Sequence, residues 1–426
     1  MSIGRPRSFR LDWISIILFF LLVGFGYLNI LSASSSGSIN GYFNISQPYG
    51  KQLVFILFSL VLIILILAIE SKFYERFSSV IYLVGLVSLI GLFIFGKEVN
   101  GATSWYAIGG MTLQPSEFMK FATALAVAKY ISDLQTNIRD IRYQLWALLI
   151  IAAPALLILL QNDAGSTIVY GAFFFVFFRE GIPKLYLMIA LVIGVLGVAT
   201  LKFGLVITVI GAGVLSFGLY FLLKKKRRRL IEPLLIALTC VVFASGVQFF
   251  YSKILQQHQQ DRISVWLRLE KDPAKLEAMK RDISYNLHES EKAISSGGVS
   301  GKGFMEGTRT IGKFVPEQHT DYIFSTVGEE WGFLGSSVVV VLFVLLIIRI
   351  IFRAENQKTQ FNRVYGYSVA SILFVHFLIN IGMVMGLLPT IGIPLPFFSY
   401  GGSSLWGFTI LLFIFIKLDA TRLSDW

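Results

Sequence analysis

The side chains best suited to chemistry lie in one long polar segment between apolar runs, residues 252–321. In this segment Asp272 supplies a carboxylate that can act as a general base, and Arg262 and Lys292 supply positive charge that can bind an anion. An aspartate followed by proline is also a common turn signal, and spacing alone favours that interpretation for Asp272. We therefore expect the chemistry of the protein to lie in this segment, where Arg262 and Lys292 could meet an anion.

Histidines and glycines of the same segment carry weaker signals. His258, His288 and His319 match no metal-ligand spacing, so we predict no metal site there. Four glycines resemble a phosphate-cradling nest but lack the strand–loop–helix order of a nucleotide site. They are Gly297, Gly298, Gly301 and Gly303. Neither group defines a site by itself.

Charged residues also adjoin the apolar runs. Pro115 and Glu117 suit the first turn of a helix, and Lys120 follows Glu117 at i+3. A self-satisfied Glu117–Lys120 pair that lets a short helix enter the membrane is the simpler interpretation, and a functional role is the alternative. Asp163 stands between two apolar runs and needs a cation. We expect Lys120 to supply it, in a pair that pins two helices.

The composition indicates that these side chains belong to a membrane protein. The 426 residues are 55% hydrophobic and 15% charged, with a mean hydropathy of +0.71, which excludes an ordinary soluble domain. Apolar runs of about twenty residues recur, long enough to cross roughly 30 Å of hydrocarbon as helices. The single cysteine forbids an internal disulfide. Membrane-flanking cations account for the net charge of +12, so we predict no nucleic-acid binding.

The apolar runs predict an all-α polytopic membrane protein with about twelve transmembrane helices. They cover residues 12–32, 51–70, 77–96, 113–131, 144–160, 166–179, 184–201, 204–223, 231–251, 322–352, 364–388 and 403–417. An even number places both termini on one side, and the positive-inside rule makes that side the cytoplasm. The long polar segment then faces outward. The predicted division is 1–251 (N-terminal transmembrane helices), 252–321 (large extracytoplasmic catalytic loop) and 322–426 (C-terminal transmembrane helices).

Several motifs, taken in order, resemble those of the SEDS (shape, elongation, division and sporulation) family of bacterial membrane proteins. They are Asn100-Gly-Ala, Gln-Pro-Ser-Glu117, Asp163-Ala-Gly, Asp272-Pro273, Ala293-Ile-Ser-Ser-Gly-Gly298, Gly301-Lys-Gly-Phe304, Pro316-Glu-Gln-His-Thr-Asp321 and Gly392-Ile-Pro-Leu-Pro-Phe-Phe-Ser-Tyr-Gly-Gly-Ser-Ser404. The stretch Phe314–Phe324 is more similar to the rod-shape (elongation) branch than to the division branch. Residues Pro389–Ser404, which include the last motif, contain three prolines between two apolar runs, so we expect non-helical backbone there, buried by protein or lining a cavity.

The resemblance implies a core of ten transmembrane helices, with an inserted pair expected here within residues 184–251. It implies a peptidoglycan glycosyltransferase that polymerises lipid II at the outer face of the cytoplasmic membrane. The implied partners are lipid II, undecaprenyl-linked glycan and a class B penicillin-binding protein transpeptidase. The family's essential outer-loop aspartate maps onto Asp272. The predicted substrate-binding residues are Arg262, Lys292, Lys302, Glu117, Lys120, His319 and Ser399, and the predicted structural residues are Asp163 and Asp321.

The implied reaction is a single inversion, because an α-linked donor becomes a β-linked polymer. One carboxylate acting as general base on the acceptor hydroxyl is then sufficient, and we assign that role to Asp272. The leaving diphosphate needs positive side chains or a divalent cation, Mg²⁺ or Mn²⁺, and no other cofactor is expected. Besides the inserted pair of helices, two features depart from the family pattern: Ser104 stands where an arginine is usual, and the interval from Asp272 to Gly297 is longer.

Other functions fit the same residues. A lipid-linked precursor flippase or transporter would use Lys120 and Asp163 within the membrane and would not need the outer loop. A scaffold that only recruits the transpeptidase would use none of the charged positions. A division-type polymerase is the alternative to an elongation-type polymerase.

Overall fold

The computed structural model describes residues 11–35, 43–99, 101–109, 111–133, 137–222, 231–255, 257–269 and 285–422. The chain forms two compact units. The first comprises Met1–Ile182 and Asn286–Trp426, and the second comprises Pro183–Tyr285.

The first unit contains most of the helices. In its described residues these are α1 (Trp13–Ser35), α2 (Pro48–Ala68), α3 (Ser71–Phe95), α4 (Pro115–Ser132), α5 (Ile141–Leu160), α6 (Ala164–Val169), α7 (Phe173–Arg179), α12 (Tyr285–Gly297, whose first residue is counted with the second unit), α13 (Thr308–Ile311), α14 (Ile323–Glu330), α15 (Gly332–Glu355), α16 (Gln360–Val384) and α17 (Gly402–Thr421). Helices α16 and α17 lie at the centre, because 78% of each apolar window is buried. Helix α4 packs against both of them.

The second unit contains α8 (Lys184–Phe203), α9 (Leu205–Leu222), α10 (Ile231–Phe249) and α11 (Gln257–Leu267) in its described residues. A five-residue π-helical turn, Phe250–Ile254, extends α10. Few side chains of α8 and α10 are buried, since only 6% of the apolar window in each is buried and the others are exposed or half-buried. Apolar surface of this kind is expected for helices that face lipid.

Each of the twelve predicted spans overlaps one or more helices in the described ranges. Nine helices there are long and apolar enough to cross a membrane, and the stretches Ala164–Arg179 and Leu205–Gly218 are shorter apolar helices. Helix α4 differs because its eighteen residues include three charged side chains. The predicted polytopic helical fold is confirmed.

One predicted span begins too early. Residues 322–352 are two helices, because α14 ends at Glu330 and α15 begins at Gly332. Gly332 has a φ of +62°, a left-handed conformation that glycine adopts at little cost and that interrupts a helix. Glu329 and Glu330 consequently lie outside the spanning helix, at its N-terminal end.

A small sheet precedes α4 and was not predicted. Strands β1 (Lys97–Val99), β2 (Ala102–Ile108) and β3 (Met111–Leu113) are antiparallel in the order β1-β2-β3. The sequence Asn100-Gly101 at the first turn is a strong hairpin signal, and Gly101 has a φ of +82°. The sheet leads directly to the first turn of α4.

Pro154 lies inside α5, where proline removes a backbone hydrogen bond. The carbonyl that loses its partner belongs to Ile150, and the hydroxyl of Tyr82 on α3 donates to it at 2.8 Å. The interior of the membrane offers no water to replace the missing bond. This contact therefore fixes α3 against α5.

Candidate functional site

Glu117 and Lys120 form a buried ion pair in the first turns of α4. Pro115 is the first residue of the helix, and Glu117 lies where the helix dipole favours a negative charge. The spacing of three residues brings Lys120 Nζ to 2.7 Å from Glu117 Oε1. Both side chains are only 3% exposed, so each charge depends on the other for its solvation.

His376 on α16 is the third member of this cluster. Its Nε2 lies 3.0 Å from Lys120 Nζ, and its Nδ1 lies 3.2 Å from the carbonyl oxygen of Pro394. The ring of Phe408 on α17 packs edge-on against His376, with ring centroids 4.8 Å apart. The centroid of Phe408 also lies 5.0 Å from Lys120 Nζ. We call Glu117, Lys120 and His376 the buried triad.

The buried triad leaves one acceptor free. Glu117 Oε2 is buried and has no hydrogen-bond partner among the described residues, and the neighbouring Ser116 Oγ is in the same state. Buried polar atoms are satisfied in nearly all proteins, by water or ligand where protein is absent. A carboxylate oxygen can accept a hydrogen bond from a hydroxyl group or a water molecule at this place.

The prediction that Lys120 pairs with Asp163 is wrong. Asp163 Oδ1 accepts the backbone N–H of Ser166 at 2.9 Å, as the N-cap of α6, and Oδ2 accepts from Gln114 Nε2 at 2.9 Å. Lys120 is engaged by Glu117 and His376 instead. Helix N-terminal N–H groups and an amide stabilise the carboxylate without a cation. Through these bonds Asp163 joins the residue before α4 to the start of α6.

The segment Met385–Gly401, which we call the proline segment, is non-helical. This confirms the prediction for residues 389–401. The boundaries differ from the prediction, because α16 already ends at Val384 and α17 already begins at Gly402. It packs against residues 319–321. Ser399 Oγ donates to the Thr320 carbonyl at 2.7 Å and accepts the N–H of Leu395 at 2.9 Å. Ser399 therefore closes the turn of the proline segment and attaches it to the preceding loop.

Asn380 and Tyr400 complete this attachment. Asn380 Nδ2 donates to the Asp321 carbonyl at 2.8 Å and to the Ile393 carbonyl at 2.7 Å. The N–H of Tyr400 donates to the His319 carbonyl at 2.9 Å. A Cβ atom at Gly392 would lie 3.2 Å from Asp321 Oδ2, so the carboxylate faces the proline segment closely. The structure thus brings His319, Asp321 and Ser399 together.

His319 is half-buried beside Tyr400, with ring centroids 5.4 Å apart. Burial lowers the pKa of His319, and Lys313 adds to that effect while Glu317 opposes it. A pKa below the ordinary value of about 6.5 keeps the imidazole neutral at pH 7. In that state His319 can both donate and accept a hydrogen bond.

Lys292 and Lys302 of the first unit each pair with a glutamate. Lys292 Nζ lies 2.7 Å from Glu289 Oε1, and Arg309 pairs with the other oxygen of Glu289. Lys302 Nζ lies 2.7 Å from Glu329 Oε1. Their side chains remain 42% and 26% exposed, so a ligand anion can approach both cations.

Glu329, the partner of Lys302, makes several further contacts. It is fully buried and accepts the N–H groups of Arg309 and Thr310 at 3.0 and 2.8 Å, together with the Thr310 hydroxyl and Lys302. Burial by itself would raise the pKa of Glu329, but these four donors outweigh it and hold the pKa below its ordinary value. Glu329 is therefore a structural anion at the start of α13.

The glycine run after α12 is a close-packing motif. The N–H groups of Gly301, Lys302 and Gly303 donate to the carbonyls of Gly297, Glu329 and Glu330 at 2.9, 3.1 and 3.0 Å. Donors satisfied in this way are not available to cradle a phosphate. The glycines instead let the backbone of this loop lie directly against the backbone at the end of α14.

We expect Gly301→Ala to destabilise the protein by several kcal/mol. A Cβ atom there would lie 2.1 Å from the carbonyl oxygen of Glu330, and the φ of +81° adds strain for any residue with a Cβ. Gly298→Ala is the matched control, since Gly298 has a φ of +59° and open space around its Cβ position. It should cost only about 1–2 kcal/mol. Equal loss of melting temperature in the two variants would contradict the close-packing role.

Glu330 is a buried acid of a different kind. The Ser32 hydroxyl donates to its Oε1, and its Oε2 has no partner among the described residues. Burial raises the pKa of Glu330 to about 7, although Ser32 and the backbone of Met305 and Gly307 oppose the shift. At neutral pH this acid is partly protonated.

The raised pKa of Glu330 predicts a pH-dependent stability. Between pH 4.5 and 7 the folded protein retains a proton that the unfolded chain has lost, so this group's contribution falls as pH rises. The ordinary and the raised pKa differ by about 2.5 pH units, and each pH unit corresponds to roughly 1.4 kcal/mol, so the free energy of unfolding falls by about 3 kcal/mol over this range. We expect Glu330→Gln to gain stability relative to wild type as pH rises from 5 to 8. Melting curves with the same difference between the two proteins at every pH would contradict it.

Two predicted residues of the polar segment remain to be placed. Arg262 is an exposed residue of α11 in the second unit. Asp272 lies outside the described residues. Among the described ranges no group of three or more His, Cys, Asp or Glu side chains is arranged to hold a metal ion.

Sequence reasoning missed several residues that the structure places in these clusters. They are Glu289, Arg309, Glu329, Glu330, His376 and Asn380. The sequence contained a signal for three of these residues, His376, Glu329 and Glu330. An ionisable residue in or beside an apolar run is a functional candidate by default, which applies to His376 and to the Glu329–Glu330 pair.

Comparison with protein families gives one broad match. The chain matches the FtsW/RodA/SpoVE model, described as cell cycle protein, over residues 12–235 and 213–423. The peptidoglycan glycosyltransferase MrdB of Escherichia coli K12 is 30% identical over 352 residues, which cover 81% of this chain and 78% of the relative. The peptidoglycan glycosyltransferase RodA of Treponema pallidum is 30% identical over 443 residues, covering 97% and 98%. A probable peptidoglycan glycosyltransferase FtsW of Methylomonas methanica is 28% identical, covering 95% and 92%.

Solved structures resemble the whole chain. The rod shape determining protein RodA of Thermus thermophilus has a TM-score of 0.62 at 22% identity, covering 99% of this chain and 100% of that one. A chain from a peptidoglycan synthase complex, whose structure concerns the coordination of polymerization and crosslinking, has a TM-score of 0.70 at 23% identity, covering 97% and 99%. At these identities the likeness establishes the fold.

Proposed function

The chain belongs to the FtsW/RodA/SpoVE family of cell cycle proteins, and from this premise we propose that it is a peptidoglycan glycosyltransferase. The motif resemblance to the SEDS proteins is thereby confirmed. The observation that carries the activity is the similarity to peptidoglycan glycosyltransferases along nearly the full length of both chains. Elongation-type relatives reach 30% identity and division-type relatives 28%, so we assign the elongation role.

The proposed substrate is lipid II, joined to a glycan strand that is itself linked to undecaprenyl diphosphate. The acceptor hydroxyl attacks the anomeric carbon of the donor sugar and gives its proton to Asp272. The new glycosidic bond forms as the bond to the diphosphate oxygen breaks, and the lipid diphosphate leaves with the electron pair. A single displacement inverts the anomeric centre, so no protein nucleophile is needed.

Positive charge near the outer face would stabilise the leaving diphosphate. Lys292 and Lys302 are the candidates in the first unit, because both are partly exposed and each is held by a glutamate. Arg262 is the candidate in the second unit. A divalent cation, Mg²⁺ or Mn²⁺, is a further proposal, and it would supply charge neutralisation only.

We propose that the remaining site residues shape the substrate site from within the helices and the proline segment. Glu117 offers an unused carboxylate oxygen, and Lys120 offers a charge fixed inside the helices. His319 and Ser399 hold the proline segment at its outer edge. Asp163 and Asp321 keep structural roles, at the start of α6 and against Gly392.

The proposed location is the bacterial cytoplasmic membrane, with both termini in the cytoplasm and residues 252–321 outside. The proposed partner is a class B penicillin-binding protein transpeptidase. A relative in fold comes from a peptidoglycan synthase complex, which supports a partner that crosslinks the polymer. Cysteine labelling from either side of intact cells tests the orientation, with Cys240→Ser as the background.

A lipid-linked precursor flippase is the second candidate function. The buried triad favours it, since charged groups inside transmembrane helices are common in transporters. Assays of lipid translocation and polymer formation in reconstituted vesicles distinguish the two candidate functions. Lys120→Ala should stop lipid translocation if the chain is a flippase, whereas Asp272→Asn should stop only polymer formation if it is a polymerase.

A further inference from the structure

We infer that His376 is a positioning residue of the proposed glycosyltransferase, and that its neutral imidazole fixes the Lys120 ammonium and connects it to the proline segment. The inference rests on the proposed function. It concerns a residue that no motif of the sequence singled out. It is carried by the contacts of a side chain with no exposed surface.

The hydrogen-bond partners define the state of the imidazole. A lysine ammonium can only donate, so His376 Nε2, at 3.0 Å from Lys120 Nζ, must accept. A backbone carbonyl can only accept, so Nδ1, at 3.2 Å from the Pro394 oxygen, must carry the hydrogen. A doubly protonated ring would direct an N–H at the ammonium. The contacts therefore require the neutral tautomer protonated at Nδ1.

Packing prevents the pair from rearranging. The Lys120 side chain has a flexible four-carbon stem and needs fixed partners to hold one geometry. Glu117 fixes the ammonium from one direction and His376 from another. The Phe408 ring lies against both the imidazole and the ammonium, which restricts movement of either.

His376 also connects α4 to the proline segment. One turn along α16, Asn380 binds the carbonyls of Ile393 and Asp321. His376 binds the next carbonyl, that of Pro394. Helix α16 therefore holds two adjacent carbonyls of the segment, and through His376 the position of Lys120 depends on the position of that segment.

The test compares substitutions that keep or remove these two hydrogen bonds. His376→Gln retains an acceptor for Lys120 and a donor for Pro394, whereas His376→Phe retains a ring and loses both. Ser368→Ala is the matched control, because Ser368 is equally buried on α16 and its hydroxyl donates to the Val364 carbonyl within its own helix. The proteins are purified in nanodiscs, normalised by folded fraction, and assayed for kcat and KM with fluorescent lipid II and the transpeptidase partner.

We expect His376→Gln to keep kcat within about threefold of wild type and His376→Phe to lose about 100-fold, the cost of misplacing a site group by roughly 1 Å. Ser368→Ala should match wild type. A folded His376→Gln with the same large loss would overturn the inference, because the imidazole itself would then be required. Normal kcat in folded His376→Phe would also overturn it. Where His376→Phe does not fold, the result with His376→Gln decides alone. If the folded wild-type protein forms no polymer, the result refutes the proposed function and not the role of His376.

Discussion

Asp272→Asn is expected to abolish polymer formation while leaving the protein folded. The amide keeps the size of the side chain but cannot take the proton of the acceptor hydroxyl, so the rate should fall by about 10²–10⁴. The assay is gel analysis of glycan strands made by the purified chain with its transpeptidase partner. Melting temperatures of the variant and wild type should agree.

Asp261→Asn is the matched control for this prediction. Asp261 is an acid of the same polar segment, and its contact is with Gln257 one turn before it on α11. It should retain nearly normal activity. Equal polymer from Asp272→Asn and wild type would remove Asp272 from the mechanism, and equal loss in both variants would show a general effect of charge in the segment.

Lys120→Met is expected to have the largest effect on stability. It leaves the Glu117 carboxylate buried without its cation, and removing one partner of a buried pair costs about 3–5 kcal/mol. The free energy of unfolding is measured in mixed micelles with a denaturing detergent. The double variant Glu117→Gln with Lys120→Met should recover part of the loss, because no charge is left unpaired, but should not recover activity.

Lys129→Met is the control on the same helix. Lys129 pairs with Glu75 at 3.2 Å, and both side chains are nearly half exposed. Its loss should cost less than about 1 kcal/mol. A similar loss in the free energy of unfolding for Lys120→Met and Lys129→Met would contradict the burial of the Glu117–Lys120 pair. Full activity of the double variant would show that the pair serves stability alone.

Helix positions were largely predictable, because long apolar runs have few other solutions in a membrane. The pair of Glu117 and Lys120 was equally predictable, since i,i+3 spacing on a helix leaves little choice of geometry. The early start predicted for the span that begins at Gly332 was the exception. A single residue in the left-handed conformation ended α14 where the hydropathy pattern was continuous.

Contacts that buried charges make with other elements were not predictable. Asp163 was expected to require a cation, but the N–H of Ser166 and the amide of Gln114 satisfy it. His376 is more than two hundred residues from Lys120 in sequence, and only the packing of α16 against α4 brings them together. Composition and spacing report neighbours along one helix, and they carry no information on which helices touch.

Polymer formation from purified lipid II tests the central claim most directly. The chain reconstituted in nanodiscs with its transpeptidase partner, whose crosslinking is blocked, is incubated with labelled lipid II and the products are separated by gel. The account predicts a ladder of glycan strands from wild type and none from Asp272→Asn. Lipid II that stays unpolymerised with folded wild-type protein and its partner, or a ladder of equal intensity from Asp272→Asn, would contradict it.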